Sequence, residues 1–210
     1  MTFLDQKQSI VSVTEAMYNK RKFSYINVPK AAVVALSKSS DNPFPSSFAK
    51  GVIQSLKTTD KRIMKAISHS LKDDVAANRH YKIGLNDNIN YYYSNIFEYY
   101  YLNDKETFNS FIDHFIRYSK SAIVTFHDSK VVSKMFGYNI HSIHIPYNNY
   151  YNKVEDTYAQ LSELDGELDY CILDCGVMGL ALLPKVWQNL NIPLIDFGKT
   201  LALGRMNRKQ

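Results

Sequence analysis

The second half of this chain repeats one pattern: a short, mostly apolar run stops at a polar or chain-breaking residue, and a stretch with helical spacing follows. Ala122-Ile123-Val124-Thr125-Phe126 stops at His127-Asp128, and Ser142-Ile143-His144-Ile145 stops at Pro146. Tyr170-Cys171-Ile172-Leu173 stops at Asp174, and Pro193-Leu194-Ile195 stops at Asp196-Phe197-Gly198. Runs this short and apolar read as buried strands. Between them, 131–136 reads as helical, and Val154, Tyr158 and Leu161 fall at i, i+4, i+7. Leu183, Val186, Trp187 and Leu190 line a further helix, which Pro184 is expected to kink or delay. Strands alternating with helices demand β-α-β units with parallel strands and right-handed crossovers. The expected fold is α/β: a single Rossmann-like, largely parallel sheet with helices on both faces, one domain spanning 1–210.

The first half is less regular. A helix is expected over 2–20, opened by a Thr2–Asp5 capping box and carrying Ile10, Val13 and Met17 on one face. Phe23-Ser24-Tyr25-Ile26-Asn27-Val28 reads as a strand, and Pro29 suits the first turn of a helix over 31–36. Residues 37–47 read as a loop, 48–56 and 61–71 as helices, and 81–85 as a strand ended by Asn86-Asp87-Asn88. After an aromatic-rich segment, 91–101, Asn103 is placed to cap a helix with Glu106 opposite it, and Phe108, Phe111, Ile112 and Phe115 form its apolar stripe.

Composition excludes several classes. The 210 residues, 45% hydrophobic and 21% charged, suit one globular domain with a substantial core. No run approaches ~18 apolar residues, so no membrane span is expected, and the N-terminus lacks the basic start and apolar run of a secretory signal. Cys171 and Cys175 have no partner pair at zinc-ligand spacing and read as small buried residues in a reducing compartment, the cytoplasm. The net charge of +5 is scattered; Lys20-Arg21-Lys22 and Arg205, Arg208 and Lys209 read as solvated clusters. With no basic stripe or matching motif, nucleic acid is not an expected partner; a nucleotide diphosphate is compatible. The abundance of Lys, Asn, Ile, Tyr (16) and Phe (11), residues of AT-rich codons, suits a bacterial or phage genome.

Open α/β sheets bind ligands beyond the carboxyl ends of their strands. That rule selects Asn27 and Lys30, Asn86 and Asp87, His127 and Asp128, Tyr147 and Asn148, Asp174 and Gly176, and Asp196 and Lys199. Asp174-Cys175-Gly176-Val177-Met178-Gly179 reads as strand, glycine turn and helix start, where backbone N–H groups can hold a phosphate; tight-turn glycines without a ligand fit equally. His127-Asp128 fits an acid/base pair, or Asp128 serves as the N-cap of the next helix. His141 and His144 read as surface or half-buried histidines. Tyr91-Tyr92-Tyr93 and Tyr99-Tyr100-Tyr101 fit stacking on a sugar or base, an interface, or a half-buried helix face.

The stretch from Ser142 to Gly198 resembles the C-terminal half of the GT-D glycosyltransferases. Its strand ending at Pro146, turn at Asn148, helix, strand leading to Gly176, second helix and closing Asp196-x-Gly198 occur in that family's order, and Ser121 to Phe126 fits the preceding strand. Near its N-terminus the family carries a strand of the form F-S-x-I-R-[FI]-G-D-G-E, whose Asp-x-Glu holds a divalent metal on the nucleotide-sugar diphosphate. Here the stretch is Phe23-Ser24-Tyr25-Ile26-Asn27-Val28-Pro29-Lys30-Ala31-Ala32. Phe23, Ser24 and Ile26 match, but Asn27 replaces the Arg, Lys30 the metal-binding Asp and Ala32 the Glu. Asp165-Gly166-Glu167 precedes a strand, at the opposite end of the sheet, and reads as a solvated turn.

The resemblance implies a GT-D-like fold. It also implies a nucleotide-sugar site drawn from Asn27, Lys30, Asp174, Gly176, Gly179, Asp196 and Lys199, with Lys30, His127 and Asp128 as catalytic candidates. It implies no metal site and no cofactor, a UDP-sugar being the substrate. Loss of both carboxylates and the Arg favours a degenerate domain, a pseudoenzyme kept as a binding or structural component. Such a domain would assemble with a protein partner or with itself, in a host cytoplasm or a phage virion. The alternative is a metal-independent glycosyltransferase in which Lys30 supplies the positive charge.

Overall fold

Short buried strands need a partner ladder on each side, and the interior strands of this chain obtain theirs in one sheet. The computed structural model describes residues 2–30, 33, 36, 44–68, 90–137 and 139–206. Among these, the strands are β1 (Ser24–Val28), β2 (Ile63–Ile67), β3 (Tyr92–Tyr93), β4 (Ser121–Thr125), β5 (His141–His144), β6 (Tyr170–Asp174) and β7 (Leu194–Asp196). They lie in the order β3-β2-β1-β7-β6-β4-β5, edged by β3 and β5, and each pairing is parallel. The helices are α1 (Gln6–Tyr18), α2 (Ser46–Lys57), α3 (Ile96–Asn103), α4 (Lys105–Phe111), α5 (Ser129–Phe136), α6 (Val154–Glu163), α7 (Val177–Asn189) and α8 (Thr200–Met206). A π-helical turn, Ile112–Ile116, continues α4.

Alternation along each strand divides the core in two. Ile26, Val28, Ala122, Val124, Cys171, Leu173 and Leu194 face α2, α6 and α7. Tyr25, Ile123, Ile172 and Ile195 face Val13 and Met17 of α1, Phe97 of α3, Phe111 of α4, Phe136 of α5 and Leu201 of α8. Helices therefore cover both faces, as the continuous apolar runs require. No helix among the described residues is long and apolar enough to cross a membrane.

Several local expectations are corrected. The segment expected as a helix over 61–71 contains β2, all five residues of which are buried. Met64, Lys65 and Ala66 are good helix formers, but a ladder slot beside β1 overrides propensity. Lys65 is tolerated there because its Nζ donates to the Leu56 carbonyl near the C-terminal end of α2. Helix α1 begins at Gln6 with Asp5 as N-cap: Asp5 Oδ1 accepts the Gln8 N–H at 2.7 Å, and Gln8 Oε1 accepts the Asp5 N–H at 3.1 Å. Thr2 lies outside the helix, and its carbonyl accepts from Tyr91 N–H at the sheet edge. Asp104, rather than Asn103, caps α4.

Helix α7 neither starts late nor breaks at Pro184. Proline cannot donate to the carbonyl four residues back, and that carbonyl, Leu180 O, accepts instead from the Ser55 hydroxyl of α2. Lys30, Val33 and Leu36 are helical, as expected after Pro29. The expected strand over 81–85, with Asn86 and Asp87, and the position of Ala32 lie outside the described residues.

Candidate active site at the carboxyl edge

Because the strands are parallel, their carboxyl ends share one edge, and the order of strand addition switches sides of β1: β2 and β3 add outward on one side, whereas β4 starts on the other, beyond β7 and β6. An open pocket of ≈ 600 Å³ occupies this edge. Its lining includes Asn27 near the end of β1 and Lys30 after it, Ser68 after β2, Asn95 after β3, and Phe126 and His127 after β4. Tyr147 follows β5, Asp174 and Gly176 belong to the end of β6, and Asp196, Gly198 and Lys199 to the end of β7. Of the residues singled out from sequence, Asn27, Lys30, His127, Tyr147, Asp174, Gly176, Asp196 and Lys199 converge here; Asp128, Asn148 and Gly179 are not part of the lining.

Asp196 ties the pocket floor together. Its Oδ2 accepts the Asn27 N–H at 3.1 Å and its Oδ1 the Gly198 N–H at 2.8 Å. Asn27 returns the contact through Nδ2 to the Asp196 carbonyl at 3.2 Å, and its Oδ1 accepts the Asn95 N–H at 2.8 Å. Thus β1, β7 and the turn before α3 are knotted at one point. Gly198 sits at φ 61°, which favours glycine, and a Cβ there would stand 2.7 Å from Asn95 Oδ1 and displace that side chain. Burial raises the Asp196 carboxyl to about 6, against the lowering effect of the backbone N–H groups.

Asp174 has a different setting. Its Oδ2 accepts the Thr125 hydroxyl at 2.7 Å and lies 3.6 Å from His127 Nε2. Thr125 Oγ1 in turn accepts the His127 N–H at 3.0 Å. Burial is the main cause that lifts Asp174 to about 7, the neighbouring Asp196 adds to it, and the Thr125 hydroxyl opposes it. A pocket carboxyl that changes state near neutrality is suited to general acid/base work. Above this floor the rim is cationic: Lys30 and Lys199 are exposed.

Gly176 caps α7 at φ 57° and ψ −133°, a conformation open to glycine, and no side chain caps that helix start. Within that first turn Met178 N–H donates to the Cys175 carbonyl at 3.3 Å and Gly179 N–H to the Gly176 carbonyl at 3.1 Å, and Gly176 alone of this helix start lines the pocket. Gly179 has a packing role instead: a Cβ there would meet Leu173 Cδ1 at 3.1 Å. Asp128 is exposed and accepts the Val131 N–H at 3.1 Å as the N-cap of α5. Cys175 and Cys171 are buried, and burial pushes both thiols up, Cys171 to about 12, which leaves them unreactive.

The tyrosine runs do not line the pocket. Tyr91 is fully buried and stacked on Phe3, while Tyr99 is 37% and neighbouring Leu102 51% exposed. The residues that sequence reasoning missed are Ser68, Asn95 and Thr125. The misassignment of 61–71 hid Ser68. Thr125, a polar residue closing an apolar strand, and Asn95, a residue type tolerant of its φ of 55°, carried usable signals.

Among the described residues, no group of three or more His, Cys, Asp or Glu side chains is gathered to hold a metal ion. Asp196 already has both oxygens on backbone N–H groups, and two lysines line the same pocket. Asp174 is then the single carboxylate that the described lining could offer a cation, beside two lysines, a poor donor set for a divalent ion.

The sequence matches no protein-family model, and no curated protein matches it significantly. The fold does have counterparts among solved structures. The whole chain is covered in the match to a glycosyltransferase of domain of unknown function 1792 from Streptococcus sanguinis, spanning 87% of that chain at TM-score 0.72 and 16% identity. It likewise matches a selenomethionine-substituted structure of domain of unknown function 1792 over 82% of that chain, at TM-score 0.70 and 16% identity. A third structure, of the same domain and described as having a distinct glycosyltransferase fold, matches at TM-score 0.67 and 14% identity over 82% of its length. The chain has the GT-D glycosyltransferase fold.

Proposed function

We propose that the pocket binds a nucleotide-sugar diphosphate without a divalent ion and that the chain is a metal-independent glycosyltransferase. The observation that carries this reading is the pairing, in one pocket, of two rim lysines with a floor carboxyl poised near neutrality. Lys30 and Lys199 would neutralise the diphosphate, where the family's Asp-x-Glu relies on a cation. The acceptor oxygen attacks the anomeric carbon, the bond from that carbon to the diphosphate oxygen breaks, and the acceptor proton passes to Asp174. The negative charge left on the nucleoside diphosphate stays beside the lysines. Thr125 positions Asp174 by its 2.7 Å hydrogen bond.

The test is a panel of UDP-sugars assayed with EDTA present. Asp174→Asn is expected to bind UDP as wild type does but to lose transfer by ~10²–10⁴-fold, the usual worth of a general base. Lys30→Ala with Lys199→Ala is expected to weaken UDP binding itself. Transfer that survives Asp174→Asn, or UDP binding indifferent to both lysines, rules the reading out.

A second reading has its own observation. The part-exposed Tyr99 and Leu102 on α3 form the kind of aromatic and apolar surface that protein interfaces use. If no nucleotide binds, a degenerate domain retained to assemble with a protein partner or with itself is the reading that remains. Sedimentation at micromolar concentration then separates a self-associating wild type from a monomeric Tyr99→Ser, Leu102→Ser variant.

A further inference from the structure

The sheet order sets the pocket-lining groups out in a line: Lys30 after β1, Lys199 after β7, Asp174 and Gly176 at β6, Phe126 and His127 after β4, and Tyr147 after β5. Cations occupy one end and aromatic rings the other, with the candidate base between them. Tyr147 is 79% exposed, yet its ring is not loose on the surface. It lies 5.0 Å from the Phe126 ring at 54°, and Phe126 is held edge-on by Tyr150 at 5.7 Å. Tyr150 meets the core through Phe48 at 5.9 Å. A chain of tilted and edge-on ring contacts anchored in the core thus reaches the pocket rim at the exposed Tyr147 ring. A single exposed aromatic means little; one that lines a pocket and is buttressed from behind is a preorganised stacking platform.

We propose that Phe126 and Tyr147 form the acceptor subsite and that the acceptor is a saccharide, its apolar C–H face resting on the Tyr147 ring and a hydroxyl turned toward Asp174. This rests on the transferase reading above. With the diphosphate at the lysine end, a ring on Tyr147 would bring its hydroxyl to Asp174 from the opposite side, the arrangement that attack at the anomeric carbon needs. A nucleobase on Tyr147 would instead carry the diphosphate away from Lys30.

The test uses saturation-transfer NMR with a pool of methyl glycosides of the common hexoses and N-acetylhexosamines, run on the same samples as UDP titrations with EDTA. Wild type should bind at least one glycoside with its C–H face in contact. Tyr147→Ala should weaken that glycoside about three- to tenfold and leave UDP affinity unchanged, and Tyr147→Phe or Tyr147→Trp should restore it. Saccharide binding unchanged in Tyr147→Ala, or no glycoside bound by wild type, overturns the subsite even where UDP still binds and the transferase reading stands. Loss of UDP rather than glycoside in Tyr147→Ala places the nucleoside on this ring and overturns it too. Absence of UDP binding in wild type fails the transferase reading separately.

Discussion

At the scale of single residues, the pocket floor is held at an electrostatic cost. Asp174 and Asp196 are both raised by burial, to about 7 and about 6, from an ordinary 3.8. A carboxyl raised on folding binds more protons folded than unfolded. Its stabilising contribution is therefore full below about pH 4 and is lost as pH rises through 6 to 7. Asp174→Asn removes one such penalty, and its melting temperature should exceed that of wild type at pH 8 but not at pH 4.5. The gain expected is on the order of 4 kcal/mol or less. Transfer activity of wild type should rise with pH through about 7, as Asp174 ionises. Gly198→Ala meets both a left-handed φ and Asn95 Oδ1 at 2.7 Å. It should destabilise the fold by ~1–3 kcal/mol and loosen the Asn27–Asp196 knot, read as faster amide exchange at Asn27 and Asn95.

At the scale of elements, two buried polar contacts explain what propensity alone misreads. Pro184 sits inside α7 because Ser55 satisfies the carbonyl that proline leaves without a donor. Ser55→Ala should cost ~1–3 kcal/mol, the penalty of an unsatisfied buried acceptor. In a Pro184→Ala background, where the helix supplies its own donor, the same change should cost much less, and a double-mutant cycle in urea measures the difference. Lys65 allows β2 to run as a buried strand by reaching Leu56 O, and its pKa falls to about 8 through burial. The unfolded state then holds the proton more tightly between about 8 and 10.5, so stability rises with pH across that window. Lys65→Met should flatten that rise.

At the scale of the whole molecule, the second half of the fold was legible because β4, β6 and β7 are short and buried, the edge strand β5 keeps Ile143 inward, and all four are closed by polar or breaking residues. The first half was not, because β2 is written in helix formers and β3 spends two tyrosines on an edge ladder, Ala66 opposite Tyr92 and Ile67 opposite Tyr93. The rule that ligands bind beyond the strand ends found most of the pocket without any coordinates. It could not tell Asp174, poised by burial and held by the Thr125 hydroxyl, from Asp196, spent on backbone N–H groups, since that distinction arises from contacts across strands far apart in sequence.

The resemblance to the GT-D glycosyltransferases likewise reached the fold that the solved structures share. The proposed metal-independent nucleotide-sugar site rests on Lys30, Lys199 and Asp174, and one measurement addresses it most directly. Calorimetric titration of the full chain with UDP, once in EDTA and once in millimolar manganese, should give the same saturable affinity in both, weakened by Lys30→Ala. Binding that appears with manganese alone, or a flat titration in both buffers, would contradict a metal-independent nucleotide-sugar site.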